Sequence, residues 1–335
     1  MPNAASREPS PVIAEIKWAP TELILRYAPG KEYDNGKWDG SDNWPLTWAD
    51  DGHMYTAYGD GYGFEPLTEA KLGLGFARII GGPEDMKGEN IRSDGENQGS
   101  GRRGKKGSGI LMVDGVLYML VRNADNDGKQ GQLATSTDYG VTWTWCDWVF
   151  EKFGYPTFIN YGQNYSGARD DYVYVVSPDG PDAYLPSDTF ILARATKDRL
   201  TELSAWEYLQ KVEGGEPVWT ADVDERGAVF ENTHQCLRSG ITYNAGLKRY
   251  LWWQIRGMDK EGKDVRFGEA GFDVYDAPKP WGPWTTAYTT DEWDIPPGEC
   301  GSFPSKWISE DGKTITLVCS SNDNFTVRKA ELVLK

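Results

Sequence analysis

The chain has 335 residues, with 35 basic and 51 acidic side chains and a net charge of −16, a balance that excludes a protein working by neutralising nucleic-acid phosphates. No apolar run approaches the ~20 residues of a membrane helix, and the N-terminal MPNAASREPSPVIAEI lacks the apolar centre of a signal peptide. The expectation is a soluble chain without nucleic-acid or membrane partners, secreted or periplasmic if a signal peptide has been removed and otherwise cytoplasmic.

In chain order, a strand, a tight turn and a second strand recur five times: LTWADDGHMYTAY at 46–58, ILMVDGVLYMLV at 110–121, YSGARDDYVYVVS at 165–177, ITYNAGLKRYLWW at 241–253 and KWISEDGKTITLVCS at 306–320. Each is followed by a third short strand: LGFARII, GQLATS, FILARA, GFDVYD and TVRKAE. Fourth strands are expected within Val141 to Phe150 and Trp284 to Thr289. SAWEYLQKV at 204–212 fits two helical turns or a strand, and the long segments 81–107 and 211–237 have the length of functional loops. The spacing is that of propeller blades, so the expected fold is all-β: one five-bladed β-propeller domain over residues 1–335. The N-terminal segment, from Glu22 to Tyr27, is expected to close the last blade, leaving fewer exposed edges.

Counting outward from each hairpin turn sends both hairpin ends to one mouth of a central channel. In the first hairpin, pairing Trp48 with His53 sets Asp42 opposite Gly59, one residue from Asp60. Strands are only ~4.8 Å apart, so the two carboxylates are candidates for an acid and base pair acting on one bond. In the second hairpin Lys106 falls opposite Asn123, beside Arg122. In the third, Asn160 falls near Asp179, with Gln163 and Asn164 a little deeper. The fourth aligns Arg238 with Gln254, with Glu231 and His234 just before the strand, and the fifth sets Glu299 near Asp323, with Ser305 and Lys306 on the inner strand. Carboxylates, cations and amides among aromatics suit a sugar. The catalytic candidates are thus Asp42, Asp60 and His234. The substrate-binding candidates are Asn43, Trp44, Lys106, Arg122, Asn164, Tyr165, Glu231, Arg238 and Lys306.

Residues 136–143, STDYGVTW, match the SxDxGxTW pattern of the sialidase Asp box, an architectural turn, and SEDGKT at 309–314 is a partial echo. The repeat, this box and the Asp42…Gly61 hairpin together resemble the five-bladed propeller glycoside hydrolases of the arabinanase and xylosidase group and of the endo-D-arabinofuranase group. The resemblance implies hydrolysis of an oligo- or polysaccharide. In the endo-D-arabinofuranase group a strand ending in GD supplies one catalytic aspartate and the preceding strand a second, positions that match Asp60 and Asp42. The arabinanase group takes a further carboxylic acid from a middle blade, for which Asp179, Glu225 and Glu231 are open alternatives. The arginine triad of a sialidase cannot be assigned.

Three cations on one rim of an acidic chain, Lys106, Arg122 and Arg238, point to an anionic glycan. The runner-up is a polysaccharide lyase, with Arg238 or Lys106 neutralising a sugar acid and His234 or Tyr165 as base; a non-catalytic glycan-binding propeller would keep the cations without needing the carboxylate pair. Trp44, Tyr62, Tyr165 and Trp252 are placed either on sugar faces or between blades. No cofactor and no metal site is expected: ADNDGKQG at 124–131 lacks the alternating ligands of a calcium loop. Cys146, Cys236, Cys300 and Cys319 have no CxxC spacing and read as reduced, buried thiols.

Overall fold

The computed structural model describes residues 8–34, 37–265 and 270–335. Among them there is no α-helix; five single 3-10 turns interrupt an all-β chain. The first sheet runs Asp42–Trp48, Met54–Gly59, Gly75–Ile80 and Lys87–Ile91, each antiparallel to the next. The second repeats this order with Lys106–Val113, Val116–Arg122, Gln132–Ser136 and Thr144–Trp145. A third meander begins Thr157–Asn160, Tyr172–Pro178, Ser187–Thr196, Glu207–Glu213 and Glu216–Thr220, and the strand Ala228–Cys236 also pairs with Ser187–Thr196. Residues 204–212 are therefore largely strand.

The fourth meander is Ser239–Asn244, Arg249–Ile255, Phe272–Ala277 and Thr285–Thr290. It joins the third through a short parallel ladder, Ile159 beside Ile241 and Asn160 beside Thr242. The last sheet is Gly301–Ser302, Thr314–Cys319 and Thr326–Leu334, completed by Ile13–Trp18 from the other end of the chain. Leu25–Arg26 adds a second, shorter contact to Thr326–Leu334. The segment expected to close the ring takes part, but the main closing strand lies earlier, where Ile13 and Ile16 supply buried residues in an otherwise polar stretch.

The first strands of the five meanders surround a narrow cavity of about 30 Å³, lined from all of them by residues such as Leu46, Ser108, Thr157, Ser239 and Ser302. They approach closely because glycines face the neighbouring strand. A Cβ on Gly107 would lie 2.6 Å from the Ala57 Cβ, and one on Gly240 would lie 2.6 Å from the Gly301 carbonyl oxygen. Apolar side chains fill the spaces between adjacent sheets, as with Phe158, Phe190, Phe230 and Trp252 in one cluster and Trp253, Phe272 and Leu317 in another.

The Asp box forms the turn between the outer strands of the second sheet. Ser136 Oγ donates to Asp138 at 2.8 Å, Asp138 accepts from the Thr142 amide at 2.9 Å, and Trp143 stacks on Phe76 of the first sheet with ring centroids 5.2 Å apart. Residues 309–314 make a related Ser–Asp turn, with Ser309 Oγ donating to Asp311 at 2.7 Å, but it joins the two inner strands of the last sheet.

Candidate active site

The first hairpin sets Asp42 opposite Gly59, as counted from the sequence, by a different route. The turn pairs Trp48 with Met54, one residue later than expected, and a β-bulge between Asn43 and Leu46 restores the register. The bulge sits where Pro45 has no amide hydrogen for the ladder. It holds Asn43 and Trp44 at φ of 75° and 66°, and Asp60 just beyond the partner strand at 46°. Asn43, Trp44 and Asp60 thus all occupy the left-handed region costly for non-glycine residues. The bulge turns Asn43 inward and sends the Trp44 ring into the core between the first and last sheets, against Tyr58, Phe64 and Phe325, with ring centroids 5.2–5.5 Å away. Trp44 is therefore a packing residue and not a sugar platform.

In the second hairpin a further bulge leaves Ser108 unpaired and sets Lys106 directly opposite Arg122. Lys106 Nζ donates to Asp60, whose other oxygen accepts from the Gly101 amide at 3.2 Å. Arg122 donates to Asn43 Oδ1 at 3.0 Å, and the Asn43 amide donates to Asp42. Arg238, in line with Ile255 through a 3.0 Å backbone bond, ion-pairs with Glu299, which also lies 3.9 Å from Arg122. Both guanidinium groups lie 5.3–5.5 Å from the ring centroids of Tyr155 and Tyr184. One polar hub therefore draws Asp42, Asn43 and Asp60 from the first sheet, Lys106 and Arg122 from the second, Tyr155 from the start of the third, Arg238 from the fourth and Glu299 from the last.

Its electrostatics differ from group to group. Asp42 is buried, and that burial, with Glu299 and Asp60 beside it, holds its carboxyl well above the usual carboxylate range against the pull of Arg122 and Lys106. Burial also acts on Glu299, but Arg238 and Arg122 outweigh it and keep that carboxyl below its ordinary value. Burial and Arg122 lower Lys106, with Asp60 and Asp42 opposing. The hub thus sets a carboxyl driven toward its neutral form, Asp42, beside one that cations hold below its ordinary value, Glu299. Cys300, whose thiol meets the Asn43 carbonyl beneath, is pushed up to about 12 by burial and is inert.

Several sequence candidates fall elsewhere. The third hairpin has a long connection from 161 to 171 in place of a tight turn, so Thr157 pairs with Val176 and the register slides by six residues from that expected. Asn164 consequently lies at the turn end of the meanders, accepting from the Gly115 amide at 2.9 Å, and Tyr165 is buried with its hydroxyl on the Tyr172 carbonyl. Lys306 belongs to the same far face, bound to the Gly52 carbonyl at 2.7 Å. Glu231 and His234 lie on Ala228–Cys236, which pairs with Ser187–Thr196; the chain supplies its hub residue only beyond that strand, at Arg238. The His234 ring meets Asp264 at 2.8 Å, and its amide donates to Asp188. Of the middle-sheet carboxylates, Asp179 is taken up by Arg226 at 2.7 Å, and Glu225 accepts from Thr220 at 2.9 Å.

Sequence reasoning placed Glu299 at the mouth without counting it among the site residues. It missed Tyr155 through the slipped register, and Tyr184 because no repeat covers its loop. Among the described residues no group of three or more His, Cys, Asp or Glu side chains is arranged to hold a metal ion, and no helix is long and apolar enough to cross a membrane.

No family model and no curated protein matches the sequence. Solved structures do. A glycosyl hydrolase from Bacteroides ovatus aligns over 98% of this chain and 99% of its own, with a TM-score of 0.54 at 10% identity. The α-L-arabinofuranosidase PaAbf62A from Podospora anserina, in complex with cellotriose, aligns over 97% and 99%, with a TM-score of 0.51 at 10% identity. The RS223 β-xylosidase aligns over 93% and 95%, with a TM-score of 0.50 at 13% identity. The chain therefore has the β-propeller fold of these glycoside hydrolases; at such identities the likeness is one of fold.

Proposed function

We propose that the chain is a single-domain, five-bladed β-propeller glycoside hydrolase whose active site is the polar hub at the channel mouth. Five successive meanders and a cavity lined by all their first strands support the blade count. One observation carries the functional reading: Asp42 and Asp60 leave the open end of one hairpin in opposite electrostatic settings, Asp42 buried and driven neutral, Asp60 more exposed and paired with Lys106. Asp42 donates its proton to the departing glycosidic oxygen. Asp60, ion-paired with Lys106, acts at the anomeric carbon, as nucleophile or as base for the attacking water. Asn43 aligns Asp42 and ties it to Arg122. The substrate is an oligo- or polysaccharide, and the cations beside the pair extend the reading to one that carries an anionic group.

The test is hydrolysis across neutral and anionic polysaccharides, followed by release of reducing ends. Asp42→Asn and Asp60→Asn should remain folded and lose ~10² to 10⁴ in rate, the usual cost of a missing general acid or base. Near-parental turnover by either variant, on a substrate the parent cleaves, would refute the paired-carboxylate mechanism. His234→Ala should leave turnover within a few-fold of the parent.

A further inference from the structure

Three side chains that are cations at neutral pH, Lys106, Arg122 and Arg238, are at most 1% exposed and converge on the carboxylates of one hub. Asp60 pairs with Lys106, and Glu299 reaches both arginines. The remaining carboxyl, Asp42, is the one driven toward its neutral form. Three cations thus share two paired carboxylates, and a buried charge left without a partner is costly. Arg122 shows where the excess lies: one of its nitrogens reaches Asn43, while its Nε and Nη1 have no hydrogen-bond partner. Buried polar groups of folded proteins nearly always have one.

Resting on the glycosidase reading of this site, we infer that the hub is a subsite for a sugar acid: a substrate carboxylate seats against Arg122, with Arg238 and Lys106 flanking it and the Tyr155 and Tyr184 rings bounding it. A carboxylate is the anion for which the hub already provides a precedent, since Glu299 occupies the arginine pair from the protein side. A single charge completes the balance; a doubly charged phosphate would overshoot it. Glu299, with its side chain 19% exposed, and Asp60, 22% exposed, mark the open side from which such a group enters. Seating an anion beside Asp42 also favours the protonated carboxyl, so the charge that identifies the substrate readies the proton donor.

The experiment is calorimetric titration of the whole protein with oligogalacturonate and oligoglucuronate, each as the free acid and as its methyl ester, and with a sulfated neutral oligosaccharide. The acid form of at least one uronate should bind roughly 10- to 100-fold more tightly than its ester, the range of one or two charge-assisted hydrogen bonds. Arg122→Gln should erase that preference, costing the acid far more affinity than the ester, and Arg122→Lys should restore part of it. Equal affinity for acid and ester in the parent protein, no binding of either uronate, preference for the sulfated sugar, or a preference that survives Arg122→Gln would each overturn the inference. A reducing-end assay on the same sugars separates it from the wider reading. Selective binding without cleavage removes the hydrolase and keeps the subsite; cleavage confined to neutral glycans does the reverse.

Discussion

Asp42 shows how a single position can work against stability and for chemistry. Its carboxyl titrates above the ordinary range in the folded protein, so between the unfolded and folded values the native state binds more protons than the unfolded chain. Stability contributed by this group is therefore full below the ordinary carboxylate range and is lost as pH rises toward the folded value. The melting temperature of Asp42→Asn should fall less than that of the parent as pH is raised from the carboxylate range to neutrality. Parallel curves for the two proteins would mean that Asp42 is not held neutral. Its neighbour Glu299 has the opposite sign, being most stabilising above its unfolded value and losing that contribution in acid. At this scale the sequence was legible where chemistry and hairpin counting agreed, at Asp42, Asp60, Lys106, Arg122 and Arg238. It was illegible where a residue's neighbours come from distant sheets, as with Tyr184, and misleading where aromatic or polar type alone was used, as with Trp44 and Lys306.

At the scale of the element, register decided which readings survived. The first hairpin reached the expected pairing of Asp42 through two offsetting departures, a longer turn and a bulge, and Pro45 was the visible signal of the second. The third hairpin had no such compensation, because the chain from 161 to 171 adds a connection that local pattern could not distinguish from strand. All five third strands lay where their apolar texture placed them. The Asp box was the most legible element because its turn is built from its own side chains, with Trp143 as anchor onto the neighbouring sheet. Trp143→Ala should cost about 3–5 kcal/mol in urea unfolding, the range for large aromatic deletions from a core, while leaving the activity of the folded fraction unchanged. A loss of under ~1 kcal/mol, within the reach of surface substitutions, would show that the ring is not an anchor.

Across the whole molecule the hub and the seam hold the sheets in register. Glu299 joins Arg238 of the fourth sheet to Arg122 of the second across the channel mouth. Removing one partner of a buried ion pair strands the other charge, so Glu299→Gln should destabilise by about 3–5 kcal/mol. A change near zero would mean that solvent already compensates the arginines. The seam is the pairing of Ile13–Trp18 with Thr326–Leu334. A chain begun after Trp18 should melt at lower temperature and self-associate in size-exclusion chromatography, because the bared edge is a template for another strand. A monomer with parental stability would show that the seam is dispensable.

That seam also sets an order in time. Ile13–Trp18 is synthesised well before Thr326–Leu334, the strand it pairs with. At ~5–20 residues per second, synthesis of the intervening chain takes roughly 15–60 s. For that interval Ile13–Trp18 lacks this ladder partner. Glu15 and Lys17, interleaved with Ile13, Ile16 and Trp18, keep charge on a segment that must stay in water until its counterpart arrives.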